Sequence, residues 1–217
     1  MHIRLSRRTL LQHCSATVAG LTVGLIRPYR KQDSRDRAIA QPLSPTPSCS
    51  DVAMTPEQFE GPFYLCDSPE RSSLLESGMS GRHMVLSGQV LSVNCIPISN
   101  ALVDFWQADN RGHYDEDGYR LRGHQFTDAE GRYRLETIIP GEYPGRTRHL
   151  HVKIQVPEQP FFTTQLFFPA DPLNGGDRFF QPDLTMSVAA SESWAISDQT
   201  DSAHTPQQAS FNFVLRL

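Results

Sequence analysis

Two histidines two residues apart, His149 and His151, stand at the head of the β-branched run H-L-H-V-K-I-Q-V. In a strand, residues i and i+2 project to one face, so both imidazoles point the same way. Tyr143 lies six residues upstream of His149, and Tyr114 twenty-nine before that. A phenol binds metal as phenolate, and with an ordinary pKa near ~10 it yields its proton only to a strong Lewis acid. Ferric iron does this far better than Zn(II) or Fe(II). Two phenolates would also hold iron in the oxidised state, and two neutral imidazoles would complete four protein ligands, leaving room for hydroxide or substrate. The expected cofactor of such a set is non-haem Fe3+, in contrast to the two-His, one-carboxylate ferrous pattern.

Plainer readings stand beside this one. His-x-His pairs also occur at zinc and copper sites, and many are surface or core histidines. A zinc or copper site would want a third histidine or a carboxylate, for which His113 and His124 are candidates. A tyrosine in a turn more often packs or caps than ligates.

The elements that must hold these residues are short apolar runs broken by turn residues. Runs at 84–93 and 101–108 alternate roughly, and the tight turn D-A-E-G at 128–131 between 125–127 and 132–139 reads as a hairpin. Further strands are expected at 149–156, 163–168, 185–189 and 210–217. About eight strands with no long amphipathic helix predict an all-β fold, a β-sandwich of mainly antiparallel strands. Such a domain buries a sufficient core without metal or disulfide staples, so a metal here would serve chemistry.

The N-terminus reads differently. Arg7 and Arg8 precede an uncharged stretch from Cys14 to Ile26, too short to span a membrane and suited to a signal-peptide core. The pattern resembles a twin-arginine export signal, with Ala38-Ile39-Ala40 as the cleavage site. This gives a signal at 1–40, a polar linker at 41–58 with order beginning near Thr55, and a catalytic sandwich at 59–217. Twin-arginine export carries folded proteins, which suits a chain that acquires metal first. Of the chain's 20 Lys/Arg and 24 Asp/Glu, eight and two fall in residues 1–40, leaving 12 basic and 22 acidic, about −10. That balance excludes nucleic acid and argues against stable membrane association after cleavage. Beyond the signal lie Cys49, Cys66 and Cys95, with no C-x-x-C. An oxidising compartment would allow one bridge, with Cys66–Cys95 preferred; free buried thiols are the alternative.

Four segments carry a resemblance: E-G-P-F-Y at 60–64, V-D-F-W-Q-A-D-N-R-G-H-Y at 103–114, T-D-A-E-G-R-Y at 127–133, and T-I-I-P-G-E-Y-P-G-R-T-R-H-L-H-V-K-I at 137–154. Together they resemble the intradiol ring-cleavage dioxygenases, which include catechol 1,2- and protocatechuate 3,4-dioxygenases. The resemblance implies a non-haem Fe(III) enzyme that opens a catechol with O2 between its hydroxyl-bearing carbons, giving a cis,cis-muconate-type dicarboxylate. It places Tyr114, Tyr143, His149 and His151 at the iron-ligand positions, with Tyr114 or Tyr143 also serving as a base. It places Arg146 beside the substrate as a catalytic and binding residue, with Gln165 and Tyr64 lining the same pocket. Arg148 should turn away from the metal, and Tyr119 is the decoy nearest in sequence to Tyr114.

The chain departs from the better-known members. Only five residues separate Tyr143 from His149, and residues 27–58 cannot supply the helical dimerisation region of catechol 1,2-dioxygenases. These features resemble the secreted, single-domain branch, and a homo-oligomer stays open. The stretch at 128–143 also resembles transthyretin-like binding modules, a non-catalytic alternative.

Overall fold

The computed structural model describes residues 53–189 and 205–217, within a compact unit running from Thr46 to Leu217. The expected signal at 1–40 lies outside the described residues, as does most of the 41–58 linker. Thr55 is already part of the sandwich: its N–H donates to Val214 O (3.0 Å) and its Oγ1 accepts from Val214 N (2.8 Å).

Among the described residues the strands are β1 (His83–Ser92), β2 (Leu102–Trp106), β3 (Arg122–Phe126), β4 (Arg132–Ile138), β5 (His149–Gln155), β6 (Phe161–Phe167), β7 (Ser187–Val188), β8 (Gln207–Ser210) and β9 (Phe213–Leu215). One sheet has the order β4-β1-β8-β7 with β9 also paired to β1, and the other has the order β3-β2-β5-β6. The two-residue period sends Leu150, Val152 and Ile154 of β5 into the core with Val103 and Phe105 of β2. Met84, Leu86 and Val90 of β1 and Leu135 of β4 come from the other sheet. Each such side chain contributes about 1.5–3 kcal/mol on burial, which is why the alternating runs specify the expected sandwich.

Two local expectations are corrected. The D-A-E-G turn does not close a hairpin: β3 pairs with β2 and β4 pairs with β1, so the turn carries the chain from one sheet to the other. The turn itself forms, with Asp128 Oδ1 accepting from Glu130 N and Arg132 N. Flanking bonds then send its two ends apart. Thr127 Oγ1 donates to Ile98 O, and Gly131 O accepts from Val90 N.

The C-terminal run is also two strands rather than one. Both lie parallel to β1, β8 on Met84–Ser87 and β9 on Val90–Ser92. Between them the chain bulges toward β1 at Phe211, whose N–H donates to Ser87 O. Gly88 makes room for this bulge, since a Cβ there would sit 1.7 Å from Phe211 O. Replacing Gly88 by alanine is expected to destabilise the fold by at least about 1–3 kcal/mol, the range for overpacking, read as a lower urea midpoint. An unchanged midpoint would show that β8 and β9 can move without cost.

Candidate metal centre

The face of β5 opposite the core carries His149, His151 and Lys153. His151 stands opposite Trp106 of β2 on one side and Gln165 of β6 on the other, and Trp106 opposite Arg122 of β3. A row Arg122–Trp106–His151–Gln165 thus crosses all four strands. An outer sheet face normally meets solvent, yet His149 and His151 are 3% and 2% exposed.

Two segments cover this face. The first is the E-G-P-F-Y turn, pinned at both ends: Glu60 pairs with Lys153, and the Tyr64 hydroxyl donates to Asp104 (3.2 Å). Between these anchors the turn lays Gly61 against the His151 ring, where an added Cβ would stand 3.4 Å from Cε1. The second segment, 173–180, follows β6 and includes a 3-10 turn at Asn174–Gly176.

The tyrosines arrive on two loops that pack together. Asp109 Oδ1 accepts from Arg111 N and His113 N and curls the loop that ends at Tyr114. Gly112, at φ +84°, lies so close to the next loop that a Cβ would meet Glu142 O at 2.1 Å. This is the physical need for glycine in W-Q-A-D-x-x-G-x-Y. The contact brings the Tyr114 and Tyr143 rings to 6.0 Å, centre to centre. Tyr114 Oη is 3.5 Å from His149 Nε2, the Tyr143 and His149 rings are 5.6 Å apart, and those of His149 and His151 4.9 Å. All four expected ligand positions therefore meet in one cluster, with both histidines buried and both tyrosines part-buried.

Their protonation suits metal binding. His149 Nδ1 lies 2.7 Å from Thr147 O; a carbonyl only accepts, so Nδ1 carries the hydrogen and Nε2 keeps its lone pair toward Tyr114. Burial, reinforced by Arg146, pushes His149 down to about 4. Burial, with His149 and Arg146, holds His151 well below the usual histidine range. Both rings are neutral at physiological pH. His151 Nδ1 is buried with no hydrogen-bond partner, an unmet polar group of the kind that marks a functional site. Burial raises both phenols, with Tyr143 adding to the effect on Tyr114. Among the described residues no three His, Cys, Asp or Glu side chains gather to hold a metal. His113 is exposed beside Asp109, and His124 Nδ1 lies 3.2 Å from Ser68 Oγ, so neither completes a zinc or copper set.

Arg146 reaches the same cluster. Its Nη1 donates to Tyr143 Oη (3.2 Å) and its Nη2 to Gln165 Oε1. Its Nε donates to Asp177 Oδ2 (2.9 Å), which also accepts from Thr147 N. Asp177 was not singled out by sequence, nor was Arg122. The latter donates to Phe63 O and Asp115 O (2.6 Å each) and so fixes both neighbours of Tyr114. Phe63, rather than Tyr64, meets the cluster: its ring stacks on Tyr114 at 4.3 Å. Tyr64 instead packs against Trp106 (4.8 Å), which stacks on His151. Arg148 turns away as expected, toward Asp171 (2.9 Å) and Glu142 (3.3 Å). Tyr119 donates to Cys66 O, far in role from the cluster. The preferred Cys66–Cys95 bridge is not formed. Cys66 is a free, exposed thiol, while Cys95 is disulfide-bonded.

Residues 59–217 match the family model described as dioxygenase. The chain is similar to the dioxygenase domain of a dioxygenase–carbohydrate-binding protein fusion from the cellulolytic bacterium Streptomyces sp. SirexAA-E. The identity is 46%, covering 76% of this chain and 99% of that one, with a TM-score of 0.68. It is also similar to 3-chlorocatechol 1,2-dioxygenase from Rhodococcus opacus 1CP, with 26% identity over 74% of this chain and 72% of that one, and a TM-score of 0.64. Among curated proteins, the protocatechuate 3,4-dioxygenase beta chain of Burkholderia cepacia is 37% identical over 46% of this chain and 51% of its own length. The chain spans about half the length of the first curated relatives it matches.

Proposed function

The chain belongs to the intradiol ring-cleavage dioxygenase family, and from that premise we propose that it opens the ring of a catechol with O2. Both oxygen atoms enter the product, a cis,cis-muconate-type dicarboxylate, so no external reductant is needed. The observation that carries this reading is the convergence of two neutral, buried imidazoles and two part-buried phenols on one point. Tyr114, Tyr143, His149 and His151 would hold Fe3+, which when bound would chelate the catechol and activate its ring toward O2. Burial holds the phenol protons in the metal-free protein, so a strong Lewis acid is needed to displace them. This favours ferric iron over zinc or ferrous iron.

The other residues act around that point. One phenolate, Tyr114 or Tyr143, takes a proton from an incoming catechol hydroxyl. Arg146 places a fixed positive charge beside the cluster, where it stabilises negative charge developing on the ring. Gln165 accepts from one arm of Arg146 and donates to Phe59 O (3.3 Å), tying the guanidinium to the covering segment. Phe63 and Gly61 close the face against water. Export by the Arg7-Arg8 signal is part of the proposal; it rests on the order of charge, apolar run and small-residue site in the sequence.

The test is a visible spectrum of iron-loaded protein before and after anaerobic catechol. A red-brown phenolate-to-iron band that shifts on catechol addition, together with O2 uptake on aeration, is the expected result. Protein that binds iron without colour would remove the phenolates from the set and overturn the reading.

A further inference from the structure

At the edge of the cluster, Phe59 and Phe179 pack at 4.4 Å between ring centres, and Phe59 is 43% exposed. Gln165 fixes the Phe59 backbone to the site, and the Gly61 position lies between the His151 and Phe59 rings. Two guanidiniums lie against Phe179: Arg146 at 4.9 Å on the cluster side and Arg178 at 4.4 Å. The nearby cations differ in one respect. Arg146 is paired with Asp177, Arg148 with Asp171 and Glu142, and Lys153 with Glu60. Arg178 is exposed and pairs with no carboxylate among the described residues, although the chain is acidic overall.

An unpaired guanidinium over an aromatic ring keeps its N–H fork free for a planar anion. On the reading of this site as a catechol dioxygenase, we propose that Arg178, with the Phe59–Phe179 pair, selects catechols carrying a short side chain that ends in a carboxylate. The catechol oxygens would occupy the metal point. The ring and chain would lie along the two phenylalanines, and the carboxylate would reach Arg178 at the rim. Arg146, its charge shared with Asp177 and Gln165, serves the ring instead. The Phe59–Phe179 pair adds apolar area along which the ring and chain would lie.

The experiment compares 3-(3,4-dihydroxyphenyl)propanoate with its methyl ester in the full-length, iron-loaded protein and in Arg178→Gln and Arg178→Lys. The quantity read is the acid-to-ester ratio of kcat/KM. The expected ratio in the unaltered protein is at least about five, from a partly exposed charge-assisted contact. It falls toward one in Arg178→Gln, recovers partly in Arg178→Lys, and shrinks as salt is raised. Anaerobic titration calorimetry with both compounds reads the same preference without turnover. A ratio of one in the unaltered protein, or one unchanged in Arg178→Gln, overturns the assignment while leaving the dioxygenase reading intact. Absence of turnover with either compound and with catechol itself would sink the dioxygenase reading, and calorimetry would still decide whether Arg178 prefers the anion.

Discussion

Tyr114→Phe is expected to fold normally and yet lose about 10³-fold in ring-opening rate, with much of the visible band gone from the iron-loaded protein. The first half of this follows from packing. Phenylalanine keeps the 4.3 Å stack on Phe63, and the hydroxyl it removes is part-buried, 3.5 Å from a histidine nitrogen and hydrogen-bonded to the Tyr143 phenol. Deleting a part-buried hydroxyl with a neutral partner costs about 0.5–1.5 kcal/mol, so the melting temperature should stay within a few degrees. The second half follows from charge. Losing one of two phenolates takes an anionic donor from the set, and several kcal/mol of charge stabilisation converts to about three orders of magnitude in rate. Tyr119→Phe is the control, since that hydroxyl donates to the Cys66 carbonyl on the surface; colour and rate should not change. Absorption spectra, iron content and O2 uptake on the two variants decide the matter. A Tyr114→Phe protein with full colour and rate would remove Tyr114 from the metal set.

What the sequence makes legible, and what it does not, follows from the range over which each signal acts. The two-residue period of β5 places His149 and His151 on one face and Leu150, Val152 and Ile154 on the other, so the sandwich and the paired imidazoles can be read locally. The meeting of Tyr114 with Tyr143 depends on the backbone of Gly112 against Glu142. No periodicity encodes that approach, and only the motif resemblance suggests it. Asp177 was missed because it lies 31 residues beyond its partner, in a segment whose composition resembles many polar loops. Arg122 was missed because it falls outside the expected run at 125–127; β3 begins at Arg122, and the covering turn buries it at 1% exposure. The D-A-E-G turn misled for a related reason. Turn chemistry fixes how the chain reverses but not which sheet each arm joins, and Thr127 and Val90 decide that through bonds to distant residues.

Asp177→Asn tests whether that distant carboxylate matters to chemistry through Arg146. The side chain is fully buried, and three donors converge on it: Arg146 Nε, Thr147 N and Phe179 N. Burial alone would raise its pKa, but the hydrogen bonds from Phe179, Arg146 and Thr147 prevail and hold it below the usual value. A carboxyl lowered in the folded state gives its full contribution above the unfolded value of about 3.9 and loses it as pH falls further. Asparagine keeps the shape but removes the charge and turns one acceptor into a donor facing other donors. Arg146 then loses the anchor that aims Nη1 at Tyr143 and Nη2 at Gln165. The expected loss is about 10–100-fold in kcat, as when a supporting partner is removed, with anaerobic catechol affinity changing far less. Arg146→Gln should lose more, about 10²–10³-fold, because it removes the stabilising charge itself. In Arg146→Gln, Asp177 still has its two backbone donors. The pair also separates two roles. If Asp177 only held the fold, Asp177→Asn would lower the melting temperature while leaving kcat per folded, iron-loaded molecule unchanged. A fall in kcat that follows the loss of Arg146 orientation, and that Arg146→Gln in the same chain does not deepen additively, would place both residues in one positioning unit.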